Sequence, residues 1–375
     1  MAIDRRQFLI GAGAFAAGLA GARNGFAVGE GYHWAGCFRA ADGSDNFMAF
    51  AADGRAGPPV RLPGRGHGMT QRPGTGHAVV FARRPGTFAN VIDPAAGRVL
   101  HRIATPAERH FQGHGAFTGD GRYLFTTENH YAKGRGVVGI HDAADGYKRI
   151  GEFAAQGVGP HETVMMPDGR TLAVSIGGIL THPDAGQAKL NLETMQPALV
   201  YIETATGKLL GDYRLAPDLH QLSIRHMAVN AAGTVVVVFQ YQGAKTRLVP
   251  LVGIHAGEDA IALPSAPDTV TARLRHYCGS VAFERAGERF VVTSPRGNVA
   301  TLWDARSRRF VAAHALNDVC GAAGAPEPGR FVLASGAGGA VLWPGVADAD
   351  ETLSGAAVRR AHWDNHLLAL HRAAS

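Results

Sequence analysis

Phe111-Gln112-Gly113-His114-Gly115 is followed by the turn Asp120-Gly121-Arg122 and the apolar run Tyr123-Leu124-Phe125-Thr126-Thr127. The same order returns in Pro160-His161-Glu162, Asp168-Gly169-Arg170 and Thr171-Leu172-Ala173-Val174-Ser175. A third copy reads Arg225-His226, Ala232-Gly233-Thr234 and Val235-Val236-Val237-Val238-Phe239. Each is a short strand opened by His, a tight turn, and a second strand of alternating or continuous apolar residues. Gly66-His67 opens another such unit. A further mark closes several of them: an apolar strand ending in an acid, a turn, and one more strand. It appears at Val91-Ile92-Asp93, Tyr201-Ile202-Glu203 and Leu302-Trp303-Asp304.

Two later units keep the turn and second strand but carry glycine where His stands elsewhere, after Cys278 at Gly279 and after Cys320 at Gly321. The last, Trp363-Asp364-Asn365-His366, restores the His. Unit starts at 67, 114, 161, 226, 279, 321 and 366 recur at roughly 50-residue spacing, the period of a β-propeller with four strands per blade. The final start leaves room for one strand only. Three N-terminal segments, Trp34–Ala40, Asn46–Ala51 and Pro59–Leu62, supply the rest of that blade. The fold predicted is an all-β, seven-bladed β-propeller of four-stranded blades, closed by pairing of the N-terminal strands with the C-terminal strand. Closure of this kind leaves no free sheet edge.

Composition agrees. The 375 residues include 50 glycines, as many tight turns require, and 46% are hydrophobic, enough for a full core. Three cysteines exclude a disulfide framework, and a net charge of +6 without a Lys/Arg block does not imply nucleic acid. The chain begins with Arg5-Arg6-Gln7-Phe8-Leu9-Ile10, which looks like a twin-arginine export signal. The weakly apolar segment Phe8 to Ala20 is too short to span a membrane, and Ala20-Gly21-Ala22 offers a small-x-small cleavage site. Residues 1–22 are therefore read as an address, residues 23–375 as one propeller domain, and the periplasm as its destination.

In a propeller the innermost strand of each blade lines the central channel. Its start lies at the same rim as the end of the antiparallel second strand. His67, His114, His161, His226 and His366 are thus predicted to share one mouth, and they are the candidate metal ligands. Iron, copper or zinc would suit several neutral imidazoles held by separate blades. Arg65, Arg83, Arg225, Arg296, Glu128, Gln240 and Asn365 are predicted around them as ligand-binding groups, since arginines beside His suit an anion. His114, His161 and Glu162 are candidates for acid–base work; Glu162 is expected either to act as a base or to hold an arginine across the channel. Roughly 18 extra residues after Gly177-Gly178 are predicted to overhang the same mouth as a lid, with His182, Asp184, Lys189 and Asn191 on it. Cys278 and Cys320 occupy equivalent places in neighbouring blades and are expected to pair, bind metal or stay inert. Cys37 reads as core.

The Phe111–Gly115, Gly159–Glu162 and Lys189–Leu192 segments, with the loop Gly178-Ile179-Leu180-Thr181-His182-Pro183-Asp184, resemble a family of exported bacterial proteins. It is the domain-of-unknown-function family 1513, with YVTN/WD-like propeller repeats. The resemblance implies a periplasmic setting in iron or other metal acquisition, beside imelysin-like and di-haem oxidoreductase-like partner proteins. It implies no settled activity. WD-repeat propellers also carry Gly-His before the inner strand and Trp-Asp at the end of the third, and there the His is structural. Three functions therefore stand open: a monomeric binding protein for a metal ion, metal complex or anion; a lactonase-like hydrolase or oxidoreductase using the same site; and a docking scaffold whose histidines are structural. No Cys-x-x-Cys-His haem motif is present.

Overall fold

The structure, a computed structural model, describes residues 31–371 apart from 187 and 346–349. The predicted export signal lies outside the described residues. Seven antiparallel sheets stand in a ring, each numbered here as a blade. The innermost strands are His362–Ala369 in blade 1, Gly66–Gln71 in blade 2, Arg109–Phe117 in blade 3 and Pro160–Met165 in blade 4. Leu222–Val229, Ser280–Phe283 and Val319–Gly324 complete the set in blades 5 to 7. Each inner strand touches the next, and Val319–Gly324 touches His362–Ala369, which touches Gly66–Gln71, so the ring is closed.

Blade 1 carries the closure. Its order from the axis is His362–Ala369, Trp34–Arg39, Asp45–Phe50 and Val60–Arg61, so one C-terminal strand pairs with three from the other end of the chain. The bounds differ from the sequence reading by a residue or two only. Blade 5 departs from the expected pattern. It has three strands, and Ala262 bonds to Ile254 as an isolated bridge where a fourth would stand. The extra residues of blade 4 run between Thr171–Ile176 and Ala198–Glu203, as two short 3-10 turns and connecting loop.

Second and third strands read as continuous buried runs, such as Ala78–Ala82, because blade faces stack on both sides. Fourth strands alternate, as in Arg309–Ala315, because one face meets water. Apolar clusters fill the space between neighbouring blades; Phe239, Phe290 and Trp303 belong to one that joins blades 5 and 6. Tight turns between third and fourth strands are held by the acids that ended the repeat: Asp93 and Asp142 each accept backbone N–H groups.

The inner strands share an irregularity. Six of the seven shift register against their neighbour at the position of the repeat's His or its counterpart, with more residues on the inner strand than across from it. The shift between Pro160 and Thr163 contains His161, and that between Phe111 and Gly115 contains His114. A bulge breaks the strict alternation of side chains and re-aims one of them. Here the bulges contain His67, His114, His161 and His366, and in blade 5 Arg225 just before His226.

Candidate metal centre

Five imidazoles meet on the propeller axis. One ring nitrogen from each of His67, His114, His226 and His366 lies within 4.8 Å of the others. Ring centroids are 4.4 Å apart for His226 and His366, 4.7 Å for His67 and His366, and 4.9 Å for His67 and His114. His161 completes the cluster, 4.7 Å from His226 and 4.9 Å from His114. All five are buried.

Glycines make this approach possible. Gly113 has φ +100°, and a Cβ there would stand 2.6 Å from Cδ2 of His67. A Cβ on Gly68 would stand 2.3 Å from Nδ1 of His114. The small residues flanking the histidines in the repeat therefore clear space for the neighbouring blade's ring.

Two carboxylates stand behind the rings. Glu162 places one oxygen 3.2 Å from Nδ1 of His226 and the other 3.5 Å from Nδ1 of His114. It also accepts the backbone N–H of Met227 at 3.1 Å. Asp364 lies 3.7 Å from Nδ1 of His67 and accepts a bond from Nε of Arg65. Among the described residues no arginine pairs with Glu162, so the expected arginine across the channel is absent. An Nδ1–H aimed at a carboxylate leaves the Nε2 lone pair free, which is the tautomer a metal needs.

The centre is short of hydrogen-bond partners. Nδ1 of His67, Nε2 of His114, Nε2 of His366 and both ring nitrogens of His161 are buried without one. Buried polar atoms are paired in the great majority of cases, so five orphans in one cluster call for an explanation. Burial, and then the neighbouring histidines, hold His114, His226 and His366 well below the usual imidazole range; for His161 the largest contribution after burial is Arg225. His67 is also lowered by burial, against the pull of Asp364. The rings are therefore neutral at physiological pH. Burial raises Glu162 to about 8, while burial of Asp364 is outweighed by His67 and Arg65, which hold it low.

The cluster forms the floor of a cavity of about 480 Å³, the size of a small-molecule site. His67, His161 and His226 line it, whereas His114 and His366 do not. Arg65, Arg83, Arg225, Arg296, Gln240 and Asn365 all line it. Among the described residues of the overhanging loop only Lys189 does; it donates to Gln242, which tethers the loop to blade 5. Asn191 instead holds the loop's base, accepting from Leu180 N–H and donating to Gly178 O, and His182 caps the turn at Asp184.

Glu128 lies elsewhere. Its strand continues to His130, so it pairs within the sheet opposite Val137 rather than emerging at the mouth. There it is fully buried among Arg109, Arg149, Thr126 and His141. The group is a structural ion network of blade 3.

The three cysteines are free and buried, so Cys278 and Cys320 do not pair. Cys37 packs in the core as expected and also borders the cavity, as Cys320 does, and burial pushes both thiols up. Arg84, expected with Arg83 at the mouth as the end of its blade's second strand, lines the cavity too. Sequence reasoning missed Asp364, Gln112 and Tyr277 as cavity residues; Asp364 stands two residues before His366, so position alone offered a signal for it.

The family model described as "Protein of unknown function (DUF1513)" matches residues 60–370. No curated protein matches the chain.

Proposed function

The chain belongs to the DUF1513 family, and we propose that it binds a divalent transition-metal cation, iron, copper or zinc, between His67, His114, His226 and His366. One observation carries the reading: four ring nitrogens lie within 4.8 Å of one another, with a carboxylate oxygen within 3.7 Å of Nδ1 on three of the rings. A structural His would satisfy its nitrogens with backbone or water. Here several point at one another. Nitrogens sharing an ion at about 2.1 Å stand about 3.4 Å apart in a tetrahedron and about 4.2 Å apart when opposite one another, so the widest pair must close in by about 0.6–1.4 Å when an ion binds. All-imidazole ligation suits the iron-to-zinc part of the series and disfavours magnesium or calcium.

Asp364 and Glu162 orient the rings and offset the cation's charge. His161, on the cavity side, is placed as a fifth ligand. The protein so read is a periplasmic metal-binding propeller, exported through the twin-arginine route and acting in metal acquisition with imelysin-like and di-haem oxidoreductase-like partners. An ion held by these histidines would supply Lewis acidity.

The test is metal analysis of protein exported through its own signal from metal-replete cells, beside a His114→Ala/His226→Ala variant. About one transition-metal ion per chain is expected in the parent, and less than a tenth of that in the variant. No bound metal in the parent, with none taken up on titration with Fe(II), Cu(II) or Zn(II), overturns the reading.

A further inference from the structure

The cavity above the histidines is lined by Arg39, Arg65, Arg83, Arg84, Lys189, Arg225 and Arg296, against three carboxylates, Asp45, Asp318 and Asp364. Arg39 pairs with Asp45 and Arg65 with Asp364. Among the described residues no carboxylate pairs with Arg83, Arg84, Lys189, Arg225 or Arg296. Arg225 is largely buried and its Nε has no partner. Arg296 lies over the Tyr277 ring, 4.4 Å from its centroid, which fixes the guanidinium but leaves its charge unmatched.

These cations act on one another. Lys189 is lowered by burial and then by Arg225, Arg296 and Arg84. Five like charges in one cavity cost energy unless something negative enters. A bare divalent cation moving toward the histidines would meet the same repulsion. A cation wrapped in a multivalent anion would be drawn in.

We infer that the cavity takes a small oxyanion of two or more negative charges, a polycarboxylate or phosphate, which arrives as the chelator of the metal and stays as its co-ligand. The inference rests on the histidines holding a metal. Arg83, Arg84, Arg225, Arg296 and Lys189 grip the oxygens, and Gln112 and Gln240 supply neutral hydrogen bonds at the same wall. An ion held by the histidines would border the same cavity, since His67, His161 and His226 all line it.

The experiment uses the mature protein, zinc-loaded and metal-free, titrated calorimetrically with citrate and with inorganic phosphate. Zinc content is measured on the same samples. Arg83→Gln and Arg296→Gln are the variants, because both residues are exposed and their loss leaves the fold intact. Arg98→Gln, on an outer strand, controls for net charge. The expected result is binding to the zinc-loaded protein at least tenfold tighter than to the metal-free form. Each cavity variant should weaken it about tenfold or more with zinc retained, and Arg98→Gln should not. Preference for citrate marks a polycarboxylate chelate and preference for phosphate an inorganic one; either supports the inference. Zinc retained without citrate or phosphate binding overturns it and leaves the metal reading standing. So does binding that ignores zinc, or that Arg98→Gln weakens equally. Absence of zinc from the parent removes the metal reading itself, and this inference with it.

Discussion

One carboxylate oxygen of Glu162 lies 3.2 Å from Nδ1 of His226, across the boundary between blades 4 and 5. The other lies 3.5 Å from Nδ1 of His114 in blade 3, so one side chain spans three blades. Glu162→Gln keeps the volume and a hydrogen-bonding oxygen but removes the acid that can ionise when a cation binds, and presents an amide to one ring. Loss of such an orienting carboxylate lowers metal affinity about 10- to 100-fold. Competition against a chelating dye measures this, and thermal unfolding of the metal-free protein checks that the fold survives. An affinity within about twofold of the parent would show that Glu162 does not orient the ligands.

Gly113 tests whether glycine placement builds the centre. At φ +100° an alanine is strained, and its Cβ would press the ring of His67. Gly113→Ala is expected to cost about 1–3 kcal/mol of stability and to weaken metal binding together with it. Gly119→Ala is the control, since its Cβ would meet nothing within 4 Å. Urea unfolding and metal titration read the two effects. Equal behaviour of the two variants would mean the inner strand adjusts freely, contrary to the close packing of the rings.

Neutral buried imidazoles have a consequence for pH. Above about 6.5 the unfolded chain's histidines are neutral too, and folding carries no proton cost. Below it the unfolded chain takes up protons that the centre refuses, so stability falls as pH falls. Each such group contributes up to about 1.4 kcal/mol per pH unit. Glu162 acts in the opposite sense between 4.5 and about 8, since its raised folded value binds a proton that the unfolded chain releases. Removing His161, whose two ring nitrogens have no partner, takes away one histidine contribution. His161→Leu in the metal-free protein should therefore flatten the decline between pH 6.5 and 5. Parallel stability profiles for parent and variant would show that His161 is not held neutral by the fold.

The fold was legible because each blade repeats a local signature: a His or Gly at the inner strand, Asp-Gly-Arg or an equivalent turn, and an acid closing the third strand. The convergence of five histidines followed from their shared place in that signature. What sequence position could not show was pairing across blades. Asp364 and His67 are at opposite ends of the chain, and Glu162 meets His226 rather than its neighbour His161. The bulges in the inner strands depend on register against a second strand, which no local pattern encodes. Glu128 shows the reverse error. An apolar run ending at Thr127 suggested a strand end, yet pairing with Arg135–Asp142 carries the strand on to His130 and turns Glu128 into the blade. The lid fared likewise: loop length indicated overhang, but among its described residues only Lys189 lines the cavity, and Asn191 is spent on holding the loop's base.

Gly36 bears on how the ring is held shut. It sits in Trp34–Arg39, paired with the C-terminal strand, where a Cβ would stand 2.8 Å from the ring of Trp363 and 2.9 Å from Cδ2 of Leu367. Trp363 is buried against Phe50 at 4.9 Å between centroids, so it has little room to yield. Gly36→Ala is expected to overpack this seam at a cost of about 1–3 kcal/mol. Asp364 and His366 are on the same strand, so a displaced seam also disturbs the metal centre. The variant should therefore lose both melting temperature and metal affinity, with a change in tryptophan fluorescence reporting the shift of Trp363. A lower melting temperature with unchanged metal affinity would show that the C-terminal strand closes the ring without positioning His366.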